Sequence, residues 1–260
     1  MEMNSISSPL VVALGVSLLI NLSMFLVAFR LQSDKLTDVS YSVTFVTIAA
    51  WAFAMSDHSW YHVTLLVMVG LWAVRLGGFL LYRVLKKGKD GRFDGMRGSF
   101  IKFGRFWLTQ AATVWIVMIP AVLAFGETPK LGLVAVVGIV VWAVGLLCET
   151  VADFQKLAFS SKPANKDKWI DTGIWSYSRH PNYFGEILVW IGVYMYVVPS
   201  LSLVQAVIGI VSPVFIITLL LFVSGIPILE KSADKRWGNV AAYRQYKKRT
   251  NILVPLPRQK

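Results

Sequence analysis

Apolar residues gather along this chain in seven runs, at roughly 9–29, 39–56, 60–82, 107–126, 131–150, 184–199 and 203–228, separated by polar segments of very unequal length. A helix needs about 17–25 residues to cross the hydrocarbon core of a bilayer, and most of the runs reach that length. The run at 184–199 is short and bounded by Pro181 and Pro199, so it is expected to be tilted or partly re-entrant. The pattern predicts an all-α integral membrane protein with seven transmembrane helices in a single membrane domain over 1–260. Glu2 with no basic residue before the first run, and no clear small-residue cleavage site after it, predict a retained helix rather than a cleaved signal peptide.

The connections alternate in length. Those at 57–59, 127–130 and 200–202 are short, whereas 83–106, 151–182 and the tail 230–260 are long and polar. Lys86-Lys87-Gly88-Lys89-Asp90-Gly91-Arg92 reads as a flexible surface loop. The fifth helix is expected to continue past the membrane before turning at Pro163 and Gly173. The tail has helix-compatible composition from Glu230 to about Arg249, and Pro255-Leu256-Pro257 ends it.

Composition agrees: 56% of residues are hydrophobic and 15% charged, which no ordinary soluble domain needs. The net charge of +12 changes the picture through its placement. Of 26 Lys and Arg residues, 8 fall in 83–106, 5 in 151–182 and 9 in 230–260, while Lys130 is alone among the short connections. Basic residues stay on the cytoplasmic side of membrane proteins. The N-terminus is therefore expected outside and the C-terminus in the cytoplasm, in a bacterial-type inner membrane or the endoplasmic reticulum. The long segments then form a cytoplasmic cap, and the basic surface reads as topology and attraction to membrane lipids, with no nucleic acid implied. A lone Cys148 excludes an intrachain disulfide, and His58, His62 and His180 have no metal-ligand spacing, so no metal is expected. There is no GxGxxG turn after a strand, no P-loop and no GxSxG elbow.

The densest chemistry lies in Tyr177-Ser178-Arg179-His180-Pro181-Asn182-Tyr183-Phe184-Gly185-Glu186, which runs straight into the sixth apolar stretch. Polar groups at a membrane entrance are costly to desolvate and need a reason. Arg179 and His180 suit an anionic group, beside the free N–H groups that follow Pro181 at a helix start. A lipid-phosphate anchor is the plainer reading of Arg179. Asn182 and Glu186 are spaced i, i+4 and share a face. Glu186 requires a cation, a sugar hydroxyl or an amide, or a salt bridge to a neighbouring helix, with Arg75 a candidate. Glu149 and Asp153 repeat the spacing at the end of the fifth helix, where the dipole disfavours carboxylates. Salt bridges to Lys156 and the tail lysines would also account for them. Glu230, Lys231, Lys235, Arg236, Tyr243 and Tyr246 form a basic amphipathic tail, which suits either a ligand or a headgroup-lying helix.

The 177–186 segment resembles the signature of the steroid 5-alpha-reductase-like (DUF1295) integral membrane reductases, a superfamily shared with sterol reductases and isoprenylcysteine methyltransferases. Glu230, Lys235-Arg236-Trp237-Gly238, Tyr243, Tyr246 and Pro255 follow in similar order, so the resemblance covers about 145–257. It implies NADPH-dependent reduction of an activated C=C bond in a steroid or other lipid, by hydride transfer. Cofactor contacts would then come from Glu149, Asp153, Arg179, His180, Asn182, Tyr183, Glu186, Glu230, Lys235, Tyr243 and Tyr246. The local excess of cations favours NADPH over NADH, through the 2′-phosphate. Related membrane S-adenosylmethionine-dependent methyltransferases carry a similar Arg-His-Pro-x-Tyr-x-Gly segment, usually with an apolar residue where this chain has Glu186. A non-catalytic sterol-binding protein is a third reading. Steroid reductases polarise the enone oxygen with a Glu on helix two and a Tyr on helix three. Helix two here has no Glu, and offers Tyr41 and Asp38 as substrate-side donors instead.

Overall fold

The computed structural model describes residues 2–87 and 93–257, with side chains from residue 6 and excluding that of residue 87. The glycine-rich part of the loop predicted at 86–92 therefore lies outside the described residues. The chain folds into ten α-helices in the described residues: α1 (Glu2–Arg30), α2 (Lys35–Ala54), α3 (Trp60–Lys87), α4 (Phe100–Ala124), α5 (Leu133–Ser160), α6 (Pro181–Val197), α7 (Leu203–Gly209), α8 (Val211–Thr218), α9 (Ile226–Trp237) and α10 (Ala241–Arg249). Seven helical stretches are long and apolar enough to cross a membrane. Among the described residues there is no strand, only an isolated parallel bridge between Ser178 and Asn251.

Several boundaries differ from the hydropathy reading, each for a local reason. α4 starts at Phe100 rather than 107, because Ser99 caps it by accepting the Lys102 N–H and because Phe103 and Trp107 are buried. Lys102 and Arg105 stay exposed on the same turns, and their charge lowers the mean hydropathy of a stretch that is helical all the same. The seventh run is not one smooth helix. It passes through α7 and α8 into a π-helical turn at Leu219–Val223 and breaks at Gly225, where a Cβ would press on the backbone of Leu220. The tail divides at 238–240 into α9 and α10 instead of running unbroken from Glu230.

The chain forms two compact units: Met1–Val136 with Val193–Ser212, and Val137–Gly192 with Pro213–Lys260. In unit 1, α1 packs on α4 and α2, α2 on α3 and α4, and α4 on α7. Its buried polar thread is closed: the Gln110 amide donates to Asn21 Oδ1 (2.8 Å) and Ser40 Oγ (2.8 Å), and Asn21 Nδ2 donates to Ser17 O and Thr44 Oγ1. Away from water these groups find few other partners, so each bond helps to set helix register. At one end of the unit Arg97 bridges Asp34 (3.1 Å) and Asp94 (2.9 Å). At the ends of α3 and α4, His62 sets Nδ1 against Asp57 (2.6 Å) and Nε2 against Ala124 O (3.2 Å).

Unit 2 holds the site, and it is positioned by an antiparallel contact of α5 with α6 that only glycine allows. A Cβ on Gly185 would lie 2.5 Å from Glu149 N and 2.6 Å from Gly145 O; one on Gly145 would lie 2.7 Å from Gly185 O. Gly192 meets Trp142 and Gly138 in the same way. Gly185→Ala is therefore expected to lower stability by about 1–3 kcal/mol. Gly70→Ala, with nothing within 4 Å of the new Cβ, is expected to raise it by up to ~1 kcal/mol through helix propensity. Thermal unfolding of both variants in detergent checks this, and equal transition temperatures would refute the close-approach account.

Candidate functional site

The segment between α5 and α6 is stapled down before the site begins. Gly173 takes φ +61°, a region open to glycine, and the next N–H, that of Ile174, donates to Gln155 Oε1 (3.0 Å). Trp175 is buried and its indole donates to Ala152 O (2.9 Å). Ser178 Oγ donates to Leu253 O (2.6 Å), and the Arg179 N–H donates to Asn251 O (2.8 Å), so the tail closes over the segment.

Arg179 then spends its whole fork on the protein. Nε and Nη2 donate to the two oxygens of Glu230 (3.1 Å each), and Nη1 donates to Lys247 O (2.7 Å) and Thr250 O (3.1 Å) at the C-terminal end of α10. A guanidinium there meets both a bidentate carboxylate and the negative end of a helix dipole. Glu230 also faces His180 Nε2 (2.9 Å) and the Lys247 ammonium (3.0 Å), while Lys247 holds Asp234 (2.6 Å). Burial pulls the Lys247 ammonium down, but hydrogen bonds to Asp234 and Glu230 outweigh it and the group ends up raised.

His180 is 5% exposed and stacks on Tyr183, with ring centroids 5.8 Å apart at 10°. Burial holds its pKa below the usual histidine value despite the pull of Glu230. The neutral ring donates from Nε2 to Glu230, which leaves Nδ1 as an acceptor, and that buried nitrogen has no hydrogen-bond partner among the described residues.

Beside this hub opens a cleft of about 330 Å³. Phe159, Trp169, Trp175, Trp237, Tyr243 and Tyr246 form its aromatic lining; among the described residues Lys156, Lys168, Arg179 and Arg236 contribute four cations and Glu230 one carboxylate. Trp169 lies edge-on to Tyr243, with centroids 5.2 Å apart, and Tyr246 donates to Trp175 O (3.1 Å). Lys156 sits 4.5 Å over the Trp175 ring. Arg236 pairs with Asp167, whose carbonyl accepts from the Trp237 indole (2.7 Å). Trp169 Nε1 is buried without a partner in the described residues.

Of the sequence-predicted residues, Arg179, His180, Glu230, Tyr243 and Tyr246 line this cleft, and Tyr183 lies against His180. Glu149, Asp153, Asn182 and Glu186 come together instead along the α5–α6 contact: Asn182 Nδ2 donates to Asp153 Oδ1 (3.4 Å), and Gly185 abuts the Glu149 backbone. Glu149 and Asp153 are buried, and Glu186 is half-buried one turn after Asn182. Lys235 is exposed on α9 and does not line the cleft. Tyr41 and Asp38 are on α2 in unit 1, where Asp38 lies 3.8 Å from Arg83 and Tyr41 packs edge-on to Phe45. Sequence reasoning missed Trp169 and Lys168 and gave Trp175 no role. Two indoles within an otherwise polar connection were the available signal.

An all-helical architecture with this many long apolar helices is that of a membrane protein, and the aromatic and cationic cleft is lined by the polar ends of two of those helices, by the connection between α5 and α6 and by α10. More particularly, the chain belongs to the DUF1295 family, described as a protein of unknown function, whose profile matches residues 24–250. No curated protein and no solved structure matches it.

Two outcomes test the hub. Arg179→Lys keeps the charge but loses the fork, and is expected to cost about 3 kcal/mol of unfolding free energy; an unchanged chemical-denaturation midpoint would refute the strut. For His180 the folded pKa lies below the unfolded value of about 6.5, so the unfolded chain takes up the proton first. Stability should therefore fall as pH drops through 6.5. Between pH 7.5 and 5.5, His180→Gln should show a smaller drop in transition temperature than the native chain; identical drops would mean that His180 is not held neutral.

Proposed function

We propose that this protein is a membrane-embedded reductase of the steroid 5-alpha-reductase-like type, binding NADPH at the unit 2 cleft. It would reduce an activated C=C bond in a steroid or other lipid. The observation that carries the reading is the cleft's lining: Lys156 and Lys168 stand beside an Arg179–Glu230 pair and an Arg236–Asp167 pair, against indole and phenol rings. A pyrophosphate and a 2′-phosphate need such cations, and an adenine ring gains about 1–3 kcal/mol from an aromatic platform. The S-adenosylmethionine of the methyltransferase alternative carries no phosphate and a sulfonium cation, which this excess of positive charge opposes. The orphaned His180 Nδ1 and Trp169 Nε1 add one acceptor and one donor of the kind that ribose hydroxyls and base edges satisfy.

When bound, the dinucleotide supplies the hydride. The protein's share is placement. Lys156 and Lys168 neutralise phosphate charge, while Arg179 holds α9 and α10 in position around the cleft. Asn182 and Glu186 present an amide and a carboxylate on one face of α6, suited to a carboxamide and a ribose. The placement of basic residues favours a cap facing the cytoplasm, where reduced nucleotide is present.

Ligand-induced stabilisation of the purified chain tests this directly. At 100 times its Kd, NADPH is expected to add about 2.7 kcal/mol, NADH less, and S-adenosylmethionine nothing. Glu186→Ala and Asn182→Ala should each abolish the NADPH response. A response to S-adenosylmethionine alone would overturn the reductase reading in favour of the methyltransferase.

A further inference from the structure

A second cavity, of about 250 Å³, lies within unit 1 and plays no part in the nucleotide reading. It opens where the start of α1, the end of α2 and the turn after α4 meet, and its walls are mostly apolar, with Val12, Met55 and Leu123 among them. One charged group faces it, the half-buried carboxylate of Glu127.

That carboxylate is fixed by the fold. Gln205, 6% exposed, accepts the Ser202 N–H at Oε1 (2.8 Å) within the capping box of α7. This sets the amide orientation, so Nε2 donates to Glu127 Oε1 (2.6 Å). Among the described residues no cation lies within ion-pair distance of Glu127. Its negative charge is compensated by one neutral hydrogen bond, beside an apolar cavity, where an unbalanced charge is costly. The Trp51 indole also lines the cavity and offers a π-face, which attracts cations within about 6 Å.

We propose that this cavity is a binding site for an amphiphile with an aliphatic ammonium head. The ammonium sits against Glu127, and the apolar body lies along Val12, Met55 and Leu123. The same chemistry is offered by the ethanolamine head of a membrane phospholipid and by a free long-chain amine.

The test uses the full chain purified in a maltoside detergent, with dodecylammonium as the probe and dodecanol as its uncharged counterpart. Glu127→Gln is expected to weaken dodecylammonium binding at least about tenfold and leave dodecanol binding unchanged. Equal dodecylammonium affinity in the native and Glu127→Gln proteins would overturn the site. Should Glu127→Gln fail to fold, Val12→Phe, which fills the cavity and keeps the carboxylate, must weaken both probes; undiminished binding in it overturns the site equally. Native mass spectrometry of protein extracted from phosphatidylethanolamine and phosphatidylglycerol bilayers separates the sources. Phosphatidylethanolamine retained by the native chain and lost in Glu127→Gln identifies the headgroup. Failure to retain it, with dodecylammonium binding intact, identifies the free amine.

Discussion

The carboxylate of Glu230 draws together three parts of the chain that are far apart in sequence. Arg179 and His180 approach it from the entrance to α6, Lys247 from α10, and Glu230 itself stands on α9. Removing one member of such a cluster leaves mostly buried charge uncompensated, so the members hold one another in place. The cleft depends on this clamp because Tyr243 and Tyr246, on α10, line it beside Trp169 and Trp175 from the preceding connection. The clamp acts together with the Tyr246 to Trp175 O hydrogen bond and the tail contacts of Ser178 in fixing those rings relative to one another.

The same cluster redistributes chemical roles. A guanidinium at a helix entrance reads in sequence as a phosphate ligand, yet each nitrogen of the Arg179 fork is directed at Glu230 or at the Lys247 and Thr250 carbonyls at the end of α10. His180 reads as a second cation, yet burial keeps it neutral and its partner is Glu230. Two further cations line the cleft, Lys156 over the Trp175 ring and Lys168, and no motif marks them. On the proposed reading, an anionic, aromatic ligand would meet different side chains from those the motif advertises.

Helix existence was legible because apolar length is a one-dimensional property, and every predicted run contains helix. Boundaries were less so. The first turns of α4 carry Lys102 and Arg105 on the exposed side and Phe103 and Trp107 on the buried side, and a sliding average cannot separate the two faces. The break at Gly225 and the division of the tail at 238–240 depend on local backbone contacts rather than on hydropathy. Within the site, Glu230, Tyr243 and Tyr246 were reachable through the order of the tail motif, whereas the indole of Trp169 had no motif to point to it.

By itself, then, the sequence determined the helical membrane class, the connections in which basic residues concentrate, and the α5 and α6 residues that share a helix face. These follow from residue type and from the 3.6-residue period, which need no partner. Tertiary structure alone decided which glycines must be glycine, because Gly145 and Gly185 are defined by a backbone on the other helix. It also decided that Glu230 is the meeting point of the cations, and that among the described residues Glu127 stands beside a cavity without one. Charge compensation is a property of what lies within a few ångströms, and chain order does not carry that distance.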